Sequence, residues 1–160
     1  MFEELSKVDM FITVQVAVAD FSRLQLTVAS AGHCPFLVAN GFGSVNAITP
    51  EGLPLGILSD AVFGEEIVPL NDVLGALLYT DGLTETLNLE GELFGQERLE
   101  RWLSKNARPG QSASLLQQRF VSELNRFQCG STPFDDQTFL LLVRESARYS
   151  SASTRASLTP

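Results

Sequence analysis

Residues 76–88 read ALLYTDGLTETLN: an apolar run, Ala76 to Tyr79, that stops at Thr80-Asp81-Gly82. A continuous apolar run bounded by a turn dipeptide is the signature of a buried strand, and Asp-Gly is a common tight-turn pair because Gly accepts positive φ. A second acidic feature mirrors it. In STPFDDQTFLLLV, Asp135 and Asp136 stand just before the apolar run Phe139–Val143. If the two runs are adjacent antiparallel strands, the end of one lies beside the start of the other, and Asp81 meets Asp135 at one rim. Two carboxylates with no basic partner repel each other, a cost that a divalent cation removes. Oxygen-only ligation favours Mg²⁺, Mn²⁺ or Ca²⁺ over Zn²⁺. By spacing alone, ordinary solvated turns are the favoured reading of both acidic sites, ahead of metal binding.

Outward from this stretch the chain is strand-rich on one side and helical on the other. FITVQVAV (11–18) alternates, with Ile12, Val14, Val16 and Val18 on one face and Thr13 and Gln15 on the other, as in a half-buried strand. LQLTV (24–28) repeats the pattern and predicts a hairpin with it. FLVANGFGSVNAI (36–48) predicts two more strands around Asn40-Gly41, and Asn71-Asp72 marks a turn between two further strands. The Pro- and Gly-rich stretch 49–60 reads as an irregular connection. Beyond Asp81 the period changes. Leu99, Trp102 and Leu103 share one helical face, and Leu116, Phe120, Leu124 and Phe127 form a longer stripe, with Ser112 or Ser114 as cap and Pro109-Gly110 between the helices. QTFLLLV (137–143) is apolar on both faces, which predicts a central strand. Residues 146–160 carry too little apolar surface to order themselves and read as a disordered tail.

Composition narrows the function. At 160 residues, 44% hydrophobic, the chain can bury one sizeable core but not two. Eleven Lys plus Arg against nineteen Asp plus Glu give a net charge of -8, with the basic residues scattered along the sequence, which disfavours a nucleic-acid partner. No apolar run approaches the ~20 residues of a membrane span, and no charged-then-apolar leader opens the chain. Cys34 and Cys129 lack both zinc-site spacing and disulfide density, so the expectation is a cytoplasmic protein with reduced thiols.

Four blocks, SAGHCPFLV (30–38), GLPLGI (52–57), LLYTDGLTETLNLEGELFGQERL (77–99) and FDDQTFLLLV (134–143), together resemble bacterial metal-dependent protein serine/threonine phosphatases (the PPM family) of the SpoIIE and RsbU type. The resemblance covers roughly residues 8 to 144. It implies an α+β fold, a four-layer α-β-β-α sandwich of antiparallel sheets flanked by helices, with a Mn²⁺ or Mg²⁺ site at one rim. By the family's motifs, Asp81 and Asp135 are the metal-binding and catalytic carboxylates, the backbone of Gly82, turning tightly beside the metal, is a further metal contact, and Thr138 orients the loop. Asp136 receives no ligand role, and His33 is expected to serve a structural hydrogen bond rather than catalysis. A further family block of the type GDVxGHG, whose Asp bridges two metals, has no counterpart here. Residues 1–145 therefore read as the C-terminal part of such a domain, incomplete at its N-terminus. The resemblance also implies a phosphoserine-bearing regulatory protein as substrate, of the anti-sigma-factor antagonist type. A sensor or receiver domain upstream and a homodimer are further expectations, while neither nucleic acid nor membrane is expected as a partner. The alternative is a non-catalytic phosphatase-like interaction module that kept the sheet and lost the chemistry.

Overall fold

Alternation in the first forty residues builds a pair of seven-residue strands, β1 (Val14–Asp20) and β2 (Gln25–Ala31), antiparallel with Val18 opposite Thr27. The turn between them is held by Asp20, whose Oδ1 accepts from the backbone N–H of Ser22 at 2.9 Å and of Arg23 at 3.0 Å. The computed structural model describes residues 10–41 and 43–144, so the sequence expectation of a tail over 146–160 lies outside the described residues.

The next strands are β3 (Phe36–Asn40), β4 (Val45–Ile48), β5 (Glu65–Pro69) and β6 (Val73–Tyr79), and β7 (Phe139–Val143) closes the described chain. The order within the sheets is β1-β2-β5 and β4-β3-β6-β7, all neighbours antiparallel. The turn at Asn71-Asp72 therefore carries the chain from one sheet to the other instead of closing a hairpin. Leu26 and Val28 of the first sheet meet Phe36, Val38 and Ala76 of the second, so the sheets pack face to face.

Helices cover the other face of the four-stranded sheet. After the one-turn helix α1 (Asp81–Thr84) come α2 (Gly95–Asn106) and α3 (Ala113–Gln128). Of the two candidate caps, Ser112 is the one used: its side chain accepts from Leu115 N–H at 3.3 Å. Leu99, Trp102 and Leu103 of α2 and Leu116, Phe120 and Leu124 of α3 face Leu37, Leu77 and Tyr79 of the sheet. Phe120 sits at the centre, with ring centroids 4.6 Å from Trp102 and 4.9 Å from Phe139.

The α+β class and the two antiparallel sheets thus agree with the sequence reading, but two strands are placed differently. The apolar face of β1 is not the buried one. Its register partners Ala29 and Thr27 place Val16 and Val18 on the outer side of the three-stranded sheet, where they are 51% and 59% exposed. The inner face instead carries Ala17, packed against the inter-sheet core, and Gln15, whose Nε2 donates to the Cys34 carbonyl at 3.1 Å. Nor is β7 central: among the described residues it is an edge strand, pairing β6 alone. Its Leu141 packs under the helices, while Leu140 and Leu142, on the inter-sheet side, stay substantially exposed. Periodicity shows that a strand has an apolar face; what lies opposite that face is a property of the whole assembly.

The scattering of basic residues along the sequence also gives way in three dimensions. Helices α2 and α3 gather Arg98, Arg101, Lys105, Arg119 and Arg126 around one groove.

Candidate metal centre

The pairing of β6 with β7 places Tyr79 opposite Phe139, so the two chain segments that follow and precede these residues leave the sheet side by side. Asp81 follows Tyr79 by two residues and Asp135 precedes Phe139 by four, which brings both acidic positions to the same rim. This is the arrangement that the antiparallel argument requires.

Three sets of contacts fasten the rim. The backbone N–H of Thr80 donates to the Thr138 carbonyl at 3.0 Å, and the Thr138 N–H donates back to Thr80 Oγ1 at 3.1 Å. The same hydroxyl donates to the carbonyl of Asp136 at 3.0 Å. Thr138 thus orients the loop through its backbone, with the Thr80 side chain as the clasp. Gly82 forms the second contact. It is buried, and a Cβ added there would stand 2.5 Å from the Asp136 carbonyl oxygen, closer than any side chain tolerates. Glycine is needed because the α1 turn lies directly on the backbone of the Asp135-Asp136 loop. The third contact is buried. Thr86 Oγ1 donates to the Gly82 carbonyl at 2.8 Å and accepts from Gln137 Nε2 at 2.6 Å, joining the two loops from beneath.

The carboxylates themselves are exposed. Asp81 Oδ1 accepts from Gly82 N–H at 3.0 Å, and Asp135 Oδ1 accepts from Asp136 N–H at 2.7 Å. Each is thereby held by its own following amide. Neither forms an ion pair among the described residues. Two exposed, cation-free carboxylates on adjoining loops make a hard oxygen donor pair suited to Mg²⁺ or Mn²⁺. Among the described residues no group of three or more His, Cys, Asp and Glu side chains is gathered for a metal ion. The residues present therefore fit one weakly held, largely hydrated cation.

Cys34 lies within the electrostatic reach of this rim. Burial pushes its thiol pKa up, with a further contribution from the Asp81 carboxylate. A thiol so placed stays protonated near neutral pH and is a poor nucleophile. Burial likewise pushes up the phenol of Tyr79. His33 makes hydrogen-bonding contacts of the structural kind: its Nδ1 lies 3.0 Å from Thr13 Oγ1, and its backbone N–H donates to Ser30 Oγ at 3.3 Å.

Close approach also explains the other two blocks singled out in the sequence. Gly32, at φ +65°, lies against Pro54, and Gly52 lies against the Ser30 carbonyl. The 30–38 and 52–57 blocks thus pack on each other as the 77–99 and 134–143 blocks do. Sequence reasoning did not single out Thr80, Thr86 or Gln137. The only trace of their role is threonine on both sides of Asp81-Gly82 in TDGLTET, a common enough pattern in solvated loops.

Comparison with known proteins places the chain in a family and a fold. The family described as Stage II sporulation protein E (SpoIIE) matches residues 1–145. Protein IcfG of Synechocystis sp. is 26% identical over 136 residues, which is 84% of this chain and 21% of that protein. Among solved structures, the SiaA-PP2C domain of Pseudomonas aeruginosa superposes with a TM-score of 0.70 at 24% identity, covering 82% of this chain and 51% of that one. The phosphatase domain of the cell fate determinant SpoIIE from Bacillus subtilis, presoaked with Mn, gives 0.57 at 17% identity over 83% of this chain and 56% of that one. The RsbU and RsbW domains of a Mycobacterium tuberculosis protein give 0.60 at 24% identity, over 88% of this chain and 38% of theirs. These likenesses establish the shared fold. The chain spans about half the length of the first two solved domains.

Proposed function

The chain belongs to the SpoIIE family of PPM-type serine phosphatase domains, and from that premise we propose that it acts in metal-dependent hydrolysis of a phosphoserine or phosphothreonine ester on a regulatory protein. The observation that carries the proposal is the β6–β7 rim, where Asp81 and Asp135 stand on adjoining loops locked by Gly82 and Thr80. Asp81 and Asp135 would hold Mn²⁺ or Mg²⁺. When bound, such an ion polarises the phosphoryl group and acidifies water for in-line attack. The chain's own part is positional. Each carboxylate is held in place by the following amide, and the Thr86–Gln137 bridge keeps the two loops from separating. Cys34, with its raised thiol pKa, is not asked to be a nucleophile.

By analogy with the RsbU-type relatives, the phosphoprotein is of the anti-sigma-factor antagonist kind. A second reading, a phosphatase-like interaction module without catalysis, draws on the lack, among the described residues, of any gathered group of three or more metal-ligating side chains, since two carboxylates alone hold a hydrated dication weakly. The two readings separate in one assay: release of phosphate from a phosphoserine protein with and without Mn²⁺. The phosphatase reading expects Mn²⁺-dependent release that falls at least about a hundredfold in Asp81→Asn, the scale of losing a principal electrostatic contributor. Absence of release from the folded protein, or equal release by Asp81→Asn, rejects it.

A further inference from the structure

Away from the rim, α2 and α3 run antiparallel, with Arg98 early in α2 over the Phe127 ring late in α3 and Trp102 against Phe120, and leave between them an open groove of about 800 Å³. Its lining includes the buried Trp102 and the exposed Leu115. Five of the chain's eleven basic side chains line it, although the protein as a whole carries -8. Two of the five are already engaged: Arg98 with Glu92 at 3.1 Å, and Arg126 with Glu123 at 2.6 Å. The other three, Arg101, Lys105 and Arg119, are exposed and have no hydrogen bond or ion pair among the described residues. Like charges converging on one concave surface repel one another, and an anionic occupant removes that cost while gaining from the focused field.

We propose that the α2–α3 groove docks an acidic amphipathic helix of a partner protein. Three features select that chemistry. Two antiparallel helices offer a trough for a third helix, the packing that helix-in-groove recognition uses. Trp102 and Leu115 give the otherwise polar lining an apolar element, so the occupant needs an apolar stripe. Arg101 and Lys105 stand four residues apart on α2, one helical turn, with Arg119 facing them from α3. Carboxylates spaced i, i+4 flanking the stripe would meet them in register. A nucleic acid is the weaker match: three free cations in a trough offer little to a phosphate backbone, and the remaining surface of a protein with net charge -8 repels it. This inference does not depend on the phosphatase reading, because it uses no residue of the rim.

The test uses the whole chain and a fluorescein-labelled amphipathic peptide of about four helical turns. The peptide carries a leucine stripe flanked by glutamates at i, i+4. Anisotropy should report saturable binding that weakens as salt rises from about 50 to 300 mM, as expected for screened charge pairs. The triple substitution Arg101→Glu, Lys105→Glu, Arg119→Glu should weaken it at least about tenfold, and Arg119→Gln alone by less. Circular dichroism confirms the fold of each variant, and Arg23→Glu with Arg144→Glu, outside the groove, should leave binding unchanged. Absence of saturable binding, or equal binding by the triple variant, overturns the proposal. It is also overturned if an oligothymidylate of similar length binds as tightly with the same sensitivity. Self-association of the chain alone that the triple variant abolishes would assign the groove to a second copy instead.

Discussion

The two sheets of this domain share a core but present opposite outer faces. The four-stranded sheet carries α2 and α3 on its outer side, and the layer between them is closed by Phe94, Trp102, Phe120 and Phe139 around fully buried Leu37 and Leu77. The three-stranded sheet has no helix on its outer side among the described residues, and Val16, Val18 and Ile67 there are each more than half exposed. The same β-branched residues that would be core in one sheet are surface in the other. Local sequence thus decides which residues share a face, and the layer laid over that face decides what they contribute. The candidate metal rim grows from the covered sheet, at the end of β6, whose Ala76, Leu77 and Tyr79 are buried. That is where a site requiring loop placement to a fraction of an ångström is best supported.

The contrast can be broken by substitution. The largest effect is expected at the covered sheet: Phe120→Ala removes a fully buried ring at the centre of the aromatic cluster and should cost ~3–5 kcal/mol in urea unfolding followed by Trp102 fluorescence. A loss below ~1 kcal/mol would mean that the helical layer is loosely packed and the contrast false. At the other extreme, Val18→Thr on the bare face should change stability by no more than ~0.5 kcal/mol. The same change should lower self-association measured by sedimentation at high concentration, since a contiguous exposed apolar face favours association. A Val18→Thr penalty comparable to a core substitution would show that this face is covered in solution.

Much of this was legible in the sequence, and the limits have physical causes. The strands and both longer helices followed from their periodicity, and Ser112 was among two candidate caps. The adjoining of the Asp81 and Asp135 loops followed from one topological argument, that a strand ending in an acid and a strand beginning with one become neighbours when paired antiparallel. What stayed hidden was relational. The outward face of β1 and the edge position of β7 depend on which elements lie opposite them, and β1 alternates identically whichever way it faces. Thr86 and Gln137 lie fifty-one residues apart, and nothing in either neighbourhood announces the hydrogen bond between them. The basic groove was invisible for a similar reason: Arg101 and Arg119 are unremarkable on their own helices and gain meaning only when antiparallel packing sets them across one trough.

In the proposed site the β6–β7 junction, closed on Gly82, gathers Asp81 and Asp135 around one divalent cation. This site is tested most directly by titrating Mn²⁺ into the protein and following the free-ion signal by electron paramagnetic resonance, for the native chain, Asp81→Asn, Asp135→Asn and Gly82→Ala. The account predicts a saturable native site that is lost in both Asn variants. It also predicts weakening of about tenfold in Gly82→Ala, because the added Cβ must push the Asp135-Asp136 backbone away from its 2.5 Å approach. Mn²⁺ binding that survives either Asn substitution unchanged would contradict it.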